Sequence, residues 1–467
     1  MKKQASSPST SYGALVVAAL LLAGAFWAPA AGVLTGQMVS ALCLIAFAVV
    51  LWVKQPLPIA VTSLIVVILL PILGLSESLN TAFAGYSNPS NFFVIASFGV
   101  AIAIRKTSVS GRILKRMLAM SGGKANRIVL AFMLLTYLLS TIMSDIAAVM
   151  IALAFAEGLL EGIDDAEQKK RFGRLLLLSL PLASIIGGTA TPAGSTVNVM
   201  ALNILSANTG IEVSFLHWCL LGLPVSLVMI FAAWFVLTRF YRAPDLSQAQ
   251  AGAFLQKMDA APPLKSEKMI LGIVVLMVVA WIAGSWISAL NTTTVAIIGL
   301  ALMLFPGIQA FTWKEFKAGV PWEIFLMGGA TVSLGTVAQQ TGLVALLADT
   351  VQRNFTSING PVLIVILGVM VTLVLLVIPV GPATVSMLTM PIYAMVSAIG
   401  LDPVMAVVTL GIFASNSTIL PLNAVVLLSY TRGYWKISEL ARVGIVITVI
   451  WIALAALWIP AITAVLA

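Results

Sequence analysis

The stretch "LLSTIMSDIAAVMIALAF" (Leu138–Phe155) sets a single acid, Asp145, inside strongly apolar sequence, and between Arg127 and Glu157 no other residue is charged. A carboxylate at bilayer depth costs at least ~2.5 kcal/mol on insertion scales, so an acid kept there marks a functional site. The same stretch decides the fold. Ahead of it lie Arg112, Lys115, Arg116, Lys124 and Arg127, spaced like the polar face of a surface helix, and after it Lys169, Lys170, Arg171 and Arg174. Loops rich in Lys and Arg stay cytoplasmic, so both flanks belong on one side and 128–156 must enter and return. Its two arms of ~14 residues reach ~20 Å each, about half to two-thirds of the way across. The turn falls near Ser140 to Ile146, which puts Asp145 at the tip of a re-entrant hairpin.

Outward from there the chain has 467 residues, 61% hydrophobic and 9% charged, with mean hydropathy +1.10. A soluble domain carries roughly 25% charged residues, so this is an all-α polytopic membrane protein. The net charge of +9 needs no nucleic-acid partner, because topology accounts for it. Apolar runs predict eleven spanning helices near 13–32, 36–53, 57–75, 89–105, 173–207, 216–240, 269–289, 292–306, 322–339, 404–430 and 442–465. With a cytoplasmic N-terminus, 24 of the 25 Lys and Arg fall on the cytoplasmic side, Arg353 being the exception, and the C-terminus is periplasmic or extracellular. "MKKQASSPSTSY" lacks a signal-peptidase pattern, so the first apolar run is read as a retained helix.

A second hairpin follows by the same logic. Arg353 and Asp402 bracket 48 uncharged residues whose midpoint, "IPVGPATV" (Ile378–Val385), carries the Pro and Gly of a turn. Parity puts both its flanks outside. "NPSNFFVIASFG" (Asn88–Gly99) and "VPWEIFLMGGAT" (Val320–Thr331) open corresponding blocks, and the hairpin exits "DIAAVMIAL" and "GPATVSMLTMPI" also correspond. The two blocks enter from opposite sides, which makes an inverted repeat. Discontinuous helices at matching places in such halves point to a transport site at the midplane. The expected divisions are scaffold helices in 1–75, a first half 76–241 containing hairpin 128–156, a cytoplasmic linker 242–268, and a second half 269–467 containing hairpin 360–398.

Four constellations carry chemistry. At the first tip, Ser140, Thr141, Ser144 and Asp145 offer hydroxyls, freed carbonyls and a carboxylate, the hard oxygen ligands of Na⁺; Asp145 would alternatively cap the second arm. "GGTATPAGSTVN" (Gly187–Asn198) would break the run 173–207 at its centre, or else form a kink packed by small residues. "SNSTILPLNAVV" (Ser415–Val426) is its second-half counterpart, with interhelical hydrogen bonding as the alternative. The second tip, Gly381, Pro382, Ala383 and Thr384, presents mostly backbone. His217 and Glu323 read as interfacial residues; Cys43 and Cys219 form no redox or metal spacing. No P-loop, HExxH, GxSxG or Cys/His cluster occurs, so transport energy comes from a gradient or from a partner. A channel would want repeated rings of pore-lining residues, and an intramembrane enzyme a catalytic His or Cys beside Asp145.

At these residues the sequence resembles the divalent anion:sodium symporter family of the ion transporter superfamily, over most of its length. That family carries Ser-Asn-Thr at each hairpin tip, a serine four residues before the first, and a Thr/Ser-Pro-Pro-Asn-like turn in each broken helix. Here the first tip reads "SDIA" (Ser144, Asp145, Ile146), with Ser140 at the preceding serine position. The first broken helix keeps its glycines and Asn198 but has Thr196 and Val197 at the proline positions. "RGYWKISELARVGIVITVI" (Arg432–Ile450) looks like the family's last loop and helix entry. "VGPA" (Val380–Ala383) replaces the second tip motif, and the second broken helix goes from Pro421 straight to Leu422–Asn423.

The resemblance implies a transporter, not an enzyme, of small organic anions of the di- or tricarboxylate kind across the inner membrane, coupled to Na⁺ or H⁺. Other cofactors are not expected. It implies a cation held by Ser140, Ser144, Asp145 and the Gly187–Gly188 backbone. The positions that in the family contact substrate carboxylates are here Asp145, Ile146, Gly381 and Pro382, with Thr189, Ser195, Asn198, Thr384, Asn416 and Asn423 as further substrate contacts. An ionised Asp145 would repel a dicarboxylate unless a cation or proton neutralises it. The second ion site loses its side-chain ligands. Elevator-like alternating access and a homodimer in membrane lipid follow from the resemblance alone. Proton-coupled or exchange carriage of another small anion or zwitterion, sulfate-like or arsenite-like, is the alternative.

Overall fold

Apolar runs cut by Gly, Pro and hydroxyl residues dictate helices, several of them interrupted. The computed structural model describes residues 8–30, 32, 34–257, 266–346, 349, 358–377 and 380–466, and among these there is no β-strand. Arg353, Ile378, Pro379 and the "AAPP" of the linker lie outside the described residues. The chain opens with α1 (Pro8–Phe26), α2 (Gly36–Lys54), α3 (Ile59–Ile72), the short α4 (Leu79–Phe83) and α5 (Pro89–Arg105). The amphipathic α6 (Val109–Ala119) buries Ser110, Leu114 and Leu118.

The hairpin follows as α7 (Ala125–Ser140) and α8 (Asp145–Glu161). Next come α9 (Ala166–Gly188), a 3-10 turn at Pro192–Gly194, α10 (Thr196–Thr209), α11 (Phe215–Phe240) and α12 (Gln248–Lys257). The second half runs through α13 (Glu267–Ala283), α14 (Thr292–Leu304), α15 (Trp313–Gly319) and α16 (Trp322–Gln340). It closes with α17 (Gly360–Val377), α18 (Gly381–Ala398), α19 (Pro403–Ala414), α20 (Ala424–Tyr430) and α21 (Ile437–Leu466).

Every expected run contains helix, but the run is not the unit. Five stretches are single helices long and apolar enough to cross a bilayer: α2, the α4–α5 stretch, α9, α11 and α21. The pair α15–α16, bent by 59°, makes a sixth if joined, while α3, α14 and α19 are shorter. Thus the number of spans depends on how interrupted helices are joined. α1 stops at Phe26, short of the expected 32, because Pro29 disfavours helical backbone before it. Within the expected linker, α12 is helical and packs Phe254 against Gly158 of α8.

The starts of α7 and α9, on either side of the first hairpin, meet this linker. Asp245 accepts from the Ala125 amide at 2.8 Å, and its carbonyl accepts from Gln168 Nε2 at 2.9 Å. The same end of the molecule gathers four ion pairs: Lys106–Glu315 at 2.7 Å, Arg174–Glu439 at 3.1 Å, Arg112–Glu267 and Arg432–Glu157. Exposed pairs contribute little to stability. They do bring together the segments whose charges put them on one side. At the opposite end Gly360, where α17 begins, lies against Pro460 of α21, and Gln339 Nε2 donates to the Asn208 carbonyl at 2.9 Å.

Candidate functional site

Between the two ends helices are interrupted at 141–144, 189–195 and 415–423, and α18 starts at Gly381; these described segments converge. The symmetry is local and exact in kind. Each returning hairpin arm begins against the last residue of the broken helix in its own half. A methyl on Gly188, which ends α9, would overlap Asp145 Oδ1. A methyl on Gly381, which begins α18, would lie 2.7 Å from the carbonyl of Ala414, which ends α19. Such close approach leaves no room for a β-carbon, which is why glycine stands at both.

At the first tip the cap falls to Ser144, whose hydroxyl accepts from the Ala147 amide at 3.5 Å. Asp145 is thereby freed from the capping role open to it in the sequence. Ser140 Oγ lies 2.8 Å from Asp145 Oδ1 and 2.8 Å from the Ser184 carbonyl. Ser184 Oγ donates to the main-chain carbonyl of Asp145 at 2.8 Å. A serine hydroxyl has one proton, so Ser140 cannot serve both oxygens at once. The carbonyls of Ser140 and Gly188 both point at Gly194, each 2.6 Å from where its β-carbon would sit. The tip therefore gathers a carboxylate, hydroxyls and main-chain carbonyls, an all-oxygen set. That donor set suits a hard monovalent cation.

Ser195 links the halves, its hydroxyl 3.2 Å from that of Ser415. A cavity of about 650 Å³ opens over these breaks. Asp145, Ile146, Ser195, Gly381, Pro382 and Asn423 line it, with Ser144 beside them. It runs past Arg105 and Glu323, at the ends of α5 and α16, so it leads toward the ion-paired end. Glu323, expected at the interface, thus also faces the mouth.

Four expected substrate contacts are turned elsewhere. Thr189 donates to the Ile186 carbonyl and lends its own carbonyl to Trp218 Nε1 at 3.1 Å. Asn198 spends its amide nitrogen on the carbonyls of Gly188 and Thr191, at 2.8 and 3.0 Å, bracing the break from behind. Thr384 is buried against the Val380 carbonyl. Asn416 accepts from Thr418 at 2.7 Å and faces Thr448. Among the cation candidates, Gly187 packs on the Tyr137 backbone. Ser184 and Thr448 were missed by sequence reasoning. Each sits inside an unbroken helix with no local mark of its role, and only proximity to Asp145 or Asn416 reveals it.

Comparison with known proteins accords with this arrangement. The family model described as "Sodium:sulfate symporter transmembrane region" matches residues 9–466. The sodium-dependent dicarboxylate transporter SdcS of Staphylococcus aureus, from strains USA300 and NCTC 8325, is 27% identical over 424 residues, covering 84% of this chain and 80% of SdcS. The crystal structure of the Alcanivorax borkumensis YdaH transporter shares the fold at 16% identity and a TM-score of 0.50, covering 81% of this chain and 86% of that one. The chain belongs to the sodium:sulfate symporter family, a family of membrane transporters.

Proposed function

We propose that the protein is a secondary carrier of small organic anions, dicarboxylates among them, that couples their movement to Na⁺ across the inner membrane. The observation that carries this reading is the all-oxygen cluster around Asp145, set beside a cavity that the broken helices share. A cation at Ser140, Ser144, Asp145 and the Gly188 carbonyl would cancel the carboxylate's charge. The anion would then sit against Ser195, Asn423 and the start of α18, where helix N-termini favour negative charge. With the ion-paired end cytoplasmic, the cavity faces inward. Residues 1–75 would serve as scaffold, and 76–241 and 269–467 as the repeated halves joined by 242–268. Elevator-like movement and a homodimer rest on the resemblance.

A second reading, proton coupling or exchange, is favoured by the presence of a carboxylate at the tip and by the lack of polar side chains at Gly381–Pro382–Ala383. Uptake of labelled succinate and citrate into proteoliposomes, with and without an inward Na⁺ gradient, tests the first reading. Uptake that rises with the gradient supports it; uptake indifferent to Na⁺ but driven by a pH gradient or by internal anion favours the second.

A further inference from the structure

The cavity lining mixes two chemistries. Asp145, Ser195 and Asn423 are polar, while Ile146, Met150, Val197, Pro382 and Leu422 bring apolar surface to the two tips and the two breaks. Ile146, Met150 and Leu422 keep 43%, 47% and 40% of their surface accessible although they line the cavity. Accessible apolar side chains inside a vestibule offer a hydrocarbon group a surface whose removal from water is favourable. A compact dianion offers them nothing, and pressed against them it would lose hydration without replacement. Arg105, out at the mouth, is the only Lys or Arg among the described residues that line the cavity. The charged end of a ligand therefore belongs with the hydroxyls and helix N-termini, and the apolar lining is left for something else.

Resting on the carrier reading above, we infer that the preferred substrate is an alkyl- or aryl-substituted dicarboxylate. Its carboxylates lie toward Ser195 and Asn423, and its hydrocarbon substituent lies on the wall made by Ile146, Pro382 and Leu422. Ile146 is then a specificity-determining residue. A pocket that covers an added hydrocarbon group discriminates by roughly 10-fold or more.

Sodium-driven uptake of labelled succinate and labelled phenylsuccinate into proteoliposomes tests this, alongside ligand-induced thermal stabilisation of the detergent-purified protein with Na⁺ present. A kcat/KM for phenylsuccinate at least roughly 10-fold above that for succinate is expected, with stabilisation at correspondingly lower concentration. Ile146→Thr should bring the two within about threefold. Should Ile146→Thr fold poorly, Leu422→Ser makes the same prediction. Equal or better handling of succinate by the unaltered protein overturns the inference and leaves the carrier reading standing. Neither anion taken up nor bound, from protein that unfolds cooperatively, overturns both.

Discussion

Asp145 is held between groups that cannot all be satisfied by protein protons, and its contact with Gly188 makes the geometry tight. Gly188→Ala would push the carboxylate off Ser140. Shifting a ligand this way costs roughly 10- to 100-fold in ion affinity in comparable sites, so the Na⁺ concentration for half-maximal uptake should rise by that factor while the folded yield is kept. Asp145→Asn keeps the shape and removes the charge; Na⁺-dependent uptake should fall at least about 10-fold, and an unchanged uptake with unchanged pH dependence would show that the carboxylate is not the coupling group. Asp145 was legible in the sequence because a lone acid in 29 otherwise uncharged residues has few explanations. Ser184 was not, since a serine in a buried helix is ordinarily content with its own backbone; Ser179 donates to Leu176 in that way.

At the scale of elements, the hairpins and both broken helices were written in charge placement and in Gly, Pro and hydroxyl clusters. The arms end where expected, α7 at Ser140 and α18 starting at Gly381. What lay hidden is how the surface segments brace the helices. α12 could not be read from a polar linker, because its stability comes from Phe254 docking on α8. Similarly, no partner could be read in advance for Glu267, the first residue of α13, which is almost fully buried and meets Arg112 of α6 and the amide and hydroxyl of Ser108. Burial pushes this carboxyl up, but the Ser108 and Arg112 donors outweigh it, and the net shift is downward. A depressed folded pKa means the contact stabilises the fold above the ordinary carboxyl value of about 4.3 and is lost as pH falls below it. Arg112→Ala leaves the carboxylate buried with Ser108 alone, at a cost of about 1–3 kcal/mol at pH 7. Thermal unfolding in detergent should show that loss at pH 7 and a smaller difference between variant and parent near pH 3.5; an equal difference at both pH values would contradict the assignment.

For the whole molecule, one end is open and the other tied. The cavity leads to the ion-paired end, while at the far end Asn208 of α10 accepts from Thr336 at 3.2 Å through its side chain and from Gln339 at 2.9 Å through its carbonyl. Any state open at the far end must part these groups. Gln339→Leu removes one hydrogen bond, worth about 0.5–1.5 kcal/mol, and so should raise the population of that state about two- to tenfold. Labelling of Asn203→Cys, which lines a small cavity at that end, by a membrane-impermeant maleimide should accelerate accordingly; unchanged labelling would mean that these bonds do not hold the far end shut. The inverted architecture was visible in the sequence, whereas the direction of opening was not, because it depends on contacts between α10 and α16, elements more than a hundred residues apart.

The central claim is coupling at the tip, and reciprocal flux reads it directly. Linkage requires that if Na⁺ promotes anion binding, the anion promotes Na⁺ binding by the same factor. The decisive measurement is entry of radioactive Na⁺ and of labelled dicarboxylate into the same proteoliposomes, each with and without the other. The account predicts that each stimulates the other and that Asp145→Asn abolishes both stimulations. Sodium entry that ignores the anion, or coupling that survives in Asp145→Asn, would contradict it.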